Sequence, residues 1–497
     1  MPRNHPDTVS AVLARGRLGI PAVVFFVVAA AAPLTAVAGG ATTGYAVTGV
    51  LGIPLAYLVV AGVLALFAVG YVAMSRRIVN AGAFYTYVAC GLGRPAGVAA
   101  AIVALVAYNT MQIGLYGVFG AVLSGFLNDR YGMNTTWWLC AFLACALIAV
   151  FGLLRIDLNG KVLAVLLVAE CAIAVVYDAV MVSHPAEGVI RFDTLAPSHL
   201  IGAGVGAALV TGIAGFVGFE GTTVFAEETK DPKRTVPRAT YIAVAVTGLL
   251  YGVSAWAMSV ATGPDKIVDA ARSDGTDLIF NLVSPHLAAS VVTTGRWLFI
   301  TSLFAALLSF HHTVARYAFA LGRERVLPSV LGRTSRRTGA PKAGSILQTA
   351  LAAAVLTGYV LAGADPIVHL FFWLTSTGAL GVLILMTATS VAVVRYFTRI
   401  AHHDGLWRTT AAPLLSALAL GAILVVTVEQ FDTLLGVEPT SPLRWMFPAS
   451  YALAAAIGLA WALTLRAVRP DIYQTIGLGV DSATASLRTP DPVRQPA

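Results

Sequence analysis

The stretch AAAAPLTAVAGGATTG, Ala29 to Gly44, and the stretch GAGVGAALVTGIAGFVGFEG, Gly202 to Gly221, decide how this chain folds. Each lies in an apolar run long enough to cross a bilayer. The first is interrupted by Pro33, Gly39, Gly40 and Gly44, the second by Gly212, Gly215, Gly218 and Gly221. A helix that loses backbone hydrogen bonds in hydrocarbon has no water to replace them, so a break survives only where protein or a wet cavity covers it. Gly and Pro are also ordinary in membrane helices, where small residues allow close packing, so one such span alone carries little weight.

The rest of the chain is of the same kind. Of 497 residues, 58% are hydrophobic and 11% charged, with mean hydropathy +0.81, against about 25% charged in a soluble domain. The fold class is therefore an all-α integral membrane protein. Segments of about 20 mostly apolar residues, the length a spanning helix needs, fall near 20–45, 52–74, 96–126, 136–154, 160–181, 201–226, 239–261, 288–320, 344–362, 367–395, 412–430 and 446–467. That makes about twelve transmembrane helices, with the first and sixth interrupted. The loop 263–286 opens on a Gly263-Pro264 turn and has room for a short surface helix. The tail after Pro470 is polar and rich in Ser, Thr and Pro, the composition of a disordered segment.

The net charge of +8 would suit nucleic acid if the basic residues formed a patch. They are instead sorted by loop. Arg130, Arg191, Lys266, Arg272, Arg296 and Arg444 lie on one side of the spans, and the other 26 of the 32 Lys and Arg residues on the opposite side. The positive-inside rule then puts both termini in the cytoplasm of a multi-pass protein of the cell membrane, with no role for nucleic acid. Arg15 and Arg17 precede an apolar run ending in Ala36-Val37-Ala38, which has the look of a secretory signal, but the run continues to Tyr45 and reads as a span. Cys90, Cys140, Cys145 and Cys171 lack the close pairing of metal sites or disulfide frameworks, so neither a metal nor a cofactor is expected.

Spans one and six hold corresponding positions if the first ten spans are two five-helix repeats of opposite orientation. Broken helices at such positions point to a midplane binding site. The amino ends of half-helices offer free N–H groups to an anion, and unwound carbonyls can hold a cation.

Three stretches carry a family likeness: GFVGFEGTTVFAEETKDPKRTVPRAT (Gly215–Thr240), NAGAFYTYVACGLGRPAG (Asn80–Gly97) and ARYAFALGRERVLP (Ala315–Pro328). In order and spacing they resemble the amino acid, polyamine and organocation transporter superfamily, from the first span through the tenth. The resemblance implies a five-plus-five inverted-repeat core over 19–396, peripheral helices eleven and twelve over 397–468, and cytoplasmic tails at 1–18 and 469–497. It further implies coupled transport by alternating access, with substrate at the unwound centres, which correspond here to Ala32, Pro33, Leu34 and Thr35 and to Gly215, Phe216, Val217 and Gly218. The first span departs from the IGSGIF-like run of well-known members; Pro33-Leu34-Thr35 looks more like the polyamine-importing branch. Where a large aromatic often gates the substrate, this chain has Ala214, so that role falls to Phe216 or Phe219.

An ionisable residue within a span is costly and is a functional candidate by default. Glu220 follows the sixth-span break and could receive helix-end N–H groups or hold a proton; pinning the backbone is the plain alternative. Glu170, mid-way along the fifth span, could take up and release a proton, or simply meet a polar neighbour. His311 and His312 lie in the eighth span, where at most one of the two adjacent rings faces the core; His311 could relay a proton or be a packing histidine. Tyr108, Asn109, Gln112, Trp373 and Thr375 could line the same cavity, while Trp137 and Trp138 read as interface anchors. Glu227, Glu228 and Asp231 beside Lys230, Lys233 and Arg234 could form a gate of ion pairs, though solvated helix-end charges are the commoner case.

These residues point to a secondary transporter for an amino acid or related amine, not an enzyme, coupled to a proton or alternatively to sodium. No Walker sequence GxxxxGK[ST] is present, which disfavours ATP-driven transport. The rival readings are a potassium-type cation symporter on the same fold and a non-transporting membrane sensor.

Overall fold

The computed structural model describes residues 18–154, 156–202, 204–335 and 338–479, with the backbone alone over 156–163. Arg3, Arg15, Arg17, Arg155, Arg336, Arg337, Arg488 and Arg494, the Lys161 side chain and the tail beyond 479 lie outside the described residues.

Eleven helices among the described residues are long and apolar enough to cross a membrane: Ile20–Thr48, Ile53–Ser75, Arg94–Tyr131, Ala164–Ser183, Val205–Glu228, Pro232–Thr262, Ala289–Arg323, Lys342–Leu361, Pro366–Arg399, Trp407–Glu429 and Leu443–Val468. The expected fourth span is the helix Trp137–Gly152, whose 16 residues reach only about 24 Å at 1.5 Å per residue. Counted with it, the spans number twelve and fall where the apolar runs place them. The helix Ala83–Leu92, between the second and third spans, is a further element that periodicity did not mark.

The first span sits inside the bundle, packed by the fifth, seventh and eighth; the sixth packs on the second, tenth and eleventh. A glycine sets the closeness of the crossing between the third and tenth spans. A Cβ on Gly114 of the third span would stand 2.9 Å from Thr375 and 3.0 Å from the Leu370 carbonyl of the tenth, the close approach that small residues permit between membrane helices. Leu139, Leu143 and Val150 of the fourth helix, Leu347 and Leu351 of the ninth span, Leu415 and Leu418 of the eleventh and Leu453 and Ile457 of the twelfth are exposed. Apolar faces on this scale suit lipid, not water.

The long loop carries two short helices, Ile267–Asp274 and Leu278–Val283, as its composition allowed. The tail departs from expectation. Residues 470–475 form a helix, Ile472 and Ile476 are buried, and the Gly477 and Gly479 N–H groups each donate to the Glu324 carboxylate at 2.7 Å. Two isoleucines and a buried acceptor outweigh the polar composition as far as 479.

Candidate substrate site

The first break begins where the helix Ile20–Ala31 meets Pro33. Proline has no N–H to continue the ladder, and Ala32 turns to a left-handed φ of 44°, returning its own N–H to Val28 at 3.0 Å. Beyond it the backbone takes a wide π turn over Ala36–Ala41 before regaining the α-helix at Thr42. The second break follows Phe216: Val217 is extended in ψ and Gly218 has φ +119°, after which only the short helix Gly221–Val224 resumes. Gly218 is required there, because the φ is foreign to L side chains and a Cβ would stand 2.5 Å from that of Ala30. The two interruptions therefore touch each other.

Breaking two buried helices frees backbone groups that must find partners. Tyrosines from neighbouring spans supply several. Tyr251 donates to the Ala31 carbonyl at 2.8 Å, Tyr57 to Ala36 at 3.4 Å and Tyr71 to Glu220 at 2.8 Å. On the donor side, the Leu34 N–H faces Glu170 Oε2 at 3.5 Å, and the Gly218 N–H donates to Glu220 Oε2 at 2.9 Å. Tyr108 donates to the other Glu220 oxygen at 2.6 Å. Glu170 Oε1 is buried with no partner among the described residues. Thr35 donates to Ser302 at 3.3 Å, and Ser302 neighbours the Glu170 carboxyl.

A cavity of about 60 Å³ opens between the breaks. A water needs roughly 10–15 Å³ on this scale, so it holds a few waters or a small organic molecule. Its wall comes from five spans: Ala30, Ala31, Ala32, Thr35, Ala36, Gly40 and Thr43 of the first, Met111 and Leu115 of the third, Thr211, Ala214 and Gly215 of the sixth, Ala306 and Phe310 of the eighth, and Phe371, Phe372, Thr375 and Ser376 of the tenth. The tenth span, like the first, enters the cavity through a π-helical stretch, Pro366–Phe372. Wide turns of this kind recur at functional sites.

The structure brings Ala32, Thr35, Gly215 and Thr375 of the expected residues into this wall. Pro33, Leu34, Val217 and Gly218 form the breaks behind it. Phe216 packs on Tyr251 at 5.4 Å and Phe219 on Phe67 at 5.9 Å, both outside the lining, so the aromatic faces are Phe310, Phe371 and Phe372 instead. Tyr108 holds Glu220, and Asn109 donates to Leu105 of its own helix at 2.6 Å. His311 faces away: its Nε2 lies 2.7 Å from Ser345 and its Nδ1 3.5 Å from Gln112, amid spans three and nine. Trp373 bonds the Leu435 carbonyl at 3.1 Å.

At the more basic end of the bundle, Glu227 and Glu228 do not pair with the lysines beside them. Glu228 takes two bonds from Arg316, at 2.7 and 3.1 Å, and Glu227 two from Arg323, both at 2.8 Å. All four side chains are at most 3% exposed. The pairs tie the sixth-span exit to the eighth span, because a carboxylate this deep needs a guanidinium fork more than a solvated ammonium. Asp231 and Arg234 make the exposed contact expected of helix-end charges, at 3.7 Å.

Two interrupted spans around a small cavity, inside a bundle of apolar helices, define a membrane permease. A family model described as amino acid permease matches residues 18–457. The chain belongs to that family and is a secondary transporter for an amino acid or amine. It is similar to the low-affinity putrescine importer PlaP of Escherichia coli K12, with 23% identity over 88% of this chain and 94% of that protein. It is also similar to the chloroplastic cationic amino acid transporter 7 of Arabidopsis thaliana, 27% identical over 52% of this chain and 41% of that one. The methylthioribose transporter of Bacillus subtilis is 24% identical over 48% of each.

Proposed function

We propose that this chain imports a small amino acid or amine by alternating access, binding it in the cavity between the interrupted first and sixth spans and coupling its movement to a proton. The observation that carries the site is the cavity wall itself, which joins both breaks through Ala30–Ala32, Thr35, Ala214 and Gly215. Residues 19–396 form its ten-helix inverted-repeat core and 397–468 two peripheral helices. Both termini face the cytoplasm of a cell membrane, a reading supported by the 26 basic residues on one side of the spans and six on the other.

Glu170 is the proton carrier that the geometry favours. Its Oε2 meets the backbone of the first break, its Oε1 is buried without a partner among the described residues, and Ser302 and Thr35 continue from it to the cavity. Glu220, held by Tyr108 and Gly218, is the second carboxylate of the site, and His311 drops out because spans three and nine enclose it. The test is uptake by the reconstituted protein under an imposed proton gradient. Substrate accumulation that the gradient drives in the wild type and that Glu170→Gln uncouples supports the reading; accumulation indifferent to the gradient removes proton coupling from it.

A further inference from the structure

The fifth span is buried on one face and exposed on the other. Glu170, Ala174, Tyr177 and Asp178 turn into the bundle while Val168, Val175 and Val176 are exposed, the three- and four-residue spacing of a helical stripe. Two carboxyl groups thus share the inward face. Asp178 lies eight residues beyond Glu170, about 12 Å along the axis at 1.5 Å per residue. It is 6% exposed, and its one hydrogen bond among the described residues comes from Ser254 of the seventh span at 2.8 Å. Asp178 Oδ1 and Glu170 Oε1 are both buried with no partner among the described residues. The carboxylates that tie the sixth-span exit to the eighth span, Glu227 and Glu228, each hold an arginine. Asp178 holds none, and an ionisable group kept unpaired within a span marks a proton or ion pathway.

The seventh span adds hydroxyls along the same line. Tyr251, beside Glu170, donates to the Ala31 carbonyl at the first break, and three residues on Ser254 donates to Asp178. Tyr45 of the first span donates to the Ala255 carbonyl at 3.1 Å and stands beside Ser259, which shares a 2.9 Å bond with Thr194 in the loop beyond the fifth span. This seam leads from Glu170 to the less basic end of the bundle. It bypasses the substrate cavity, whose wall includes none of these side chains. The other ionisable groups on the elements packed here are Cys171, Tyr177 and His184 of the fifth span and Arg296 of the eighth. His184 stacks on His286, and Arg296 is engaged by Asp277 and Phe280.

We infer that Asp178 is a proton relay that loads Glu170 from the less basic side, the outer face with both termini in the cytoplasm, along a route separate from the substrate's. The inference rests on Glu170's being the proton carrier. A proton from hydronium forms an O–H bond at Asp178 Oδ1. That bond then breaks, the Ser254 and Tyr251 hydroxyls each take one proton and give one, and an O–H bond forms at Glu170 Oε1. Asp178 returns to its carboxylate, so one proton has moved and nothing is oxidised.

The experiment follows the infrared band of protonated carboxyl groups after a pH drop in the purified full-length protein, which needs no substrate. The component that Glu170→Gln removes belongs to Glu170. In Asp178→Asn that component should rise about a hundredfold more slowly, the low end of what a positioned proton-transfer group supplies, and should reach the same final height. A merely structural Asp178 would change the melting temperature and leave the rate in folded protein as it is. Should Asp178→Asn fail to fold, Ser254→Ala carries the test, because it removes a hydroxyl of the route and keeps the carboxyl; its rise should be slower as well. A Glu170 component that rises at the wild-type rate in the folded variant overturns the relay and leaves Glu170 as carrier. The absence of any component that Glu170→Gln removes takes the carrier and the relay away together.

Discussion

Gly218 of the sixth span rests against Ala30 of the first, so closely that a Cβ on Gly218 would lie 2.5 Å from the Ala30 Cβ. The contact joins the end of one half-helix to the break in the other. It holds two interrupted backbones at the same depth, and the cavity exists because they meet there.

Gly218→Ala should therefore be among the most damaging single-methyl changes in the chain. The new Cβ faces both a φ of +119° and the Ala30 contact, costing about 2–4 kcal/mol. Unfolding of the purified variant should show that loss, with uptake reduced further than stability.

Tyr108→Phe removes the 2.6 Å donor to Glu220 Oε1 and leaves a carboxylate oxygen in the apolar core without it. An unmet buried acceptor costs about 1–3 kcal/mol. Denaturation should report that cost, and uptake should fall with it, because Glu220 pins the second break through Gly218.

Arg316 and Glu228, each 1% exposed, form an ion pair that neither can lose alone. Arg316→Ala strands a buried carboxylate and should cost about 3–5 kcal/mol, whereas Glu228→Leu combined with Arg316→Met should regain most of it. A double-mutant cycle on unfolding checks this. If the pair also closes the basic end of the bundle, the double variant folds yet leaks substrate from loaded vesicles.

Arg77 and Asp404 make a contrasting pair at 2.6 Å, with side chains 35% and 30% exposed. The hydrogen bond from Arg77 holds the Asp404 carboxyl below its usual range. A lowered value means the stabilisation is complete above the unfolded aspartate value, about 3.9, and is lost as pH falls through the folded one. Solvent screening limits it to about 0–1 kcal/mol. Arg77→Ala should therefore scarcely change the melting temperature between pH 5 and 8.

Much of this was legible in the residues. Apolar runs located the spans within a few positions, and Pro33 and the glycines around Gly218 located the breaks, because hydrocarbon makes backbone continuity the dominant constraint. What seals the breaks was not legible. Tyr251 stands mid-span, away from the helix ends where tyrosine usually collects, and that placement was the one available signal; Tyr57 and Tyr71 lie about a turn from the ends of Ile53–Ser75 and read as interface residues. The partners of Glu227 and Glu228 lie 96 and 88 positions along the chain, a separation no local pattern encodes. Phe310, Phe371 and Phe372 read as ordinary apolar residues until the π turn of the tenth span aims two of them inward. Charge patterning misled at Glu227 and Glu228 because neighbours in sequence are not neighbours across helices.

The central claim is that cargo sits where the two interrupted spans meet. It is tested most directly by thiol labelling of Ala214→Cys, with Cys140, Cys145 and Cys171 replaced by serine and exposed Cys90 kept as an internal control. The substrate should be whichever of butylamine or L-alanine the protein transports. At saturation it is predicted to slow labelling at 214 severalfold and leave Cys90 unchanged. Equal labelling of 214 with and without the transported substrate would contradict the account.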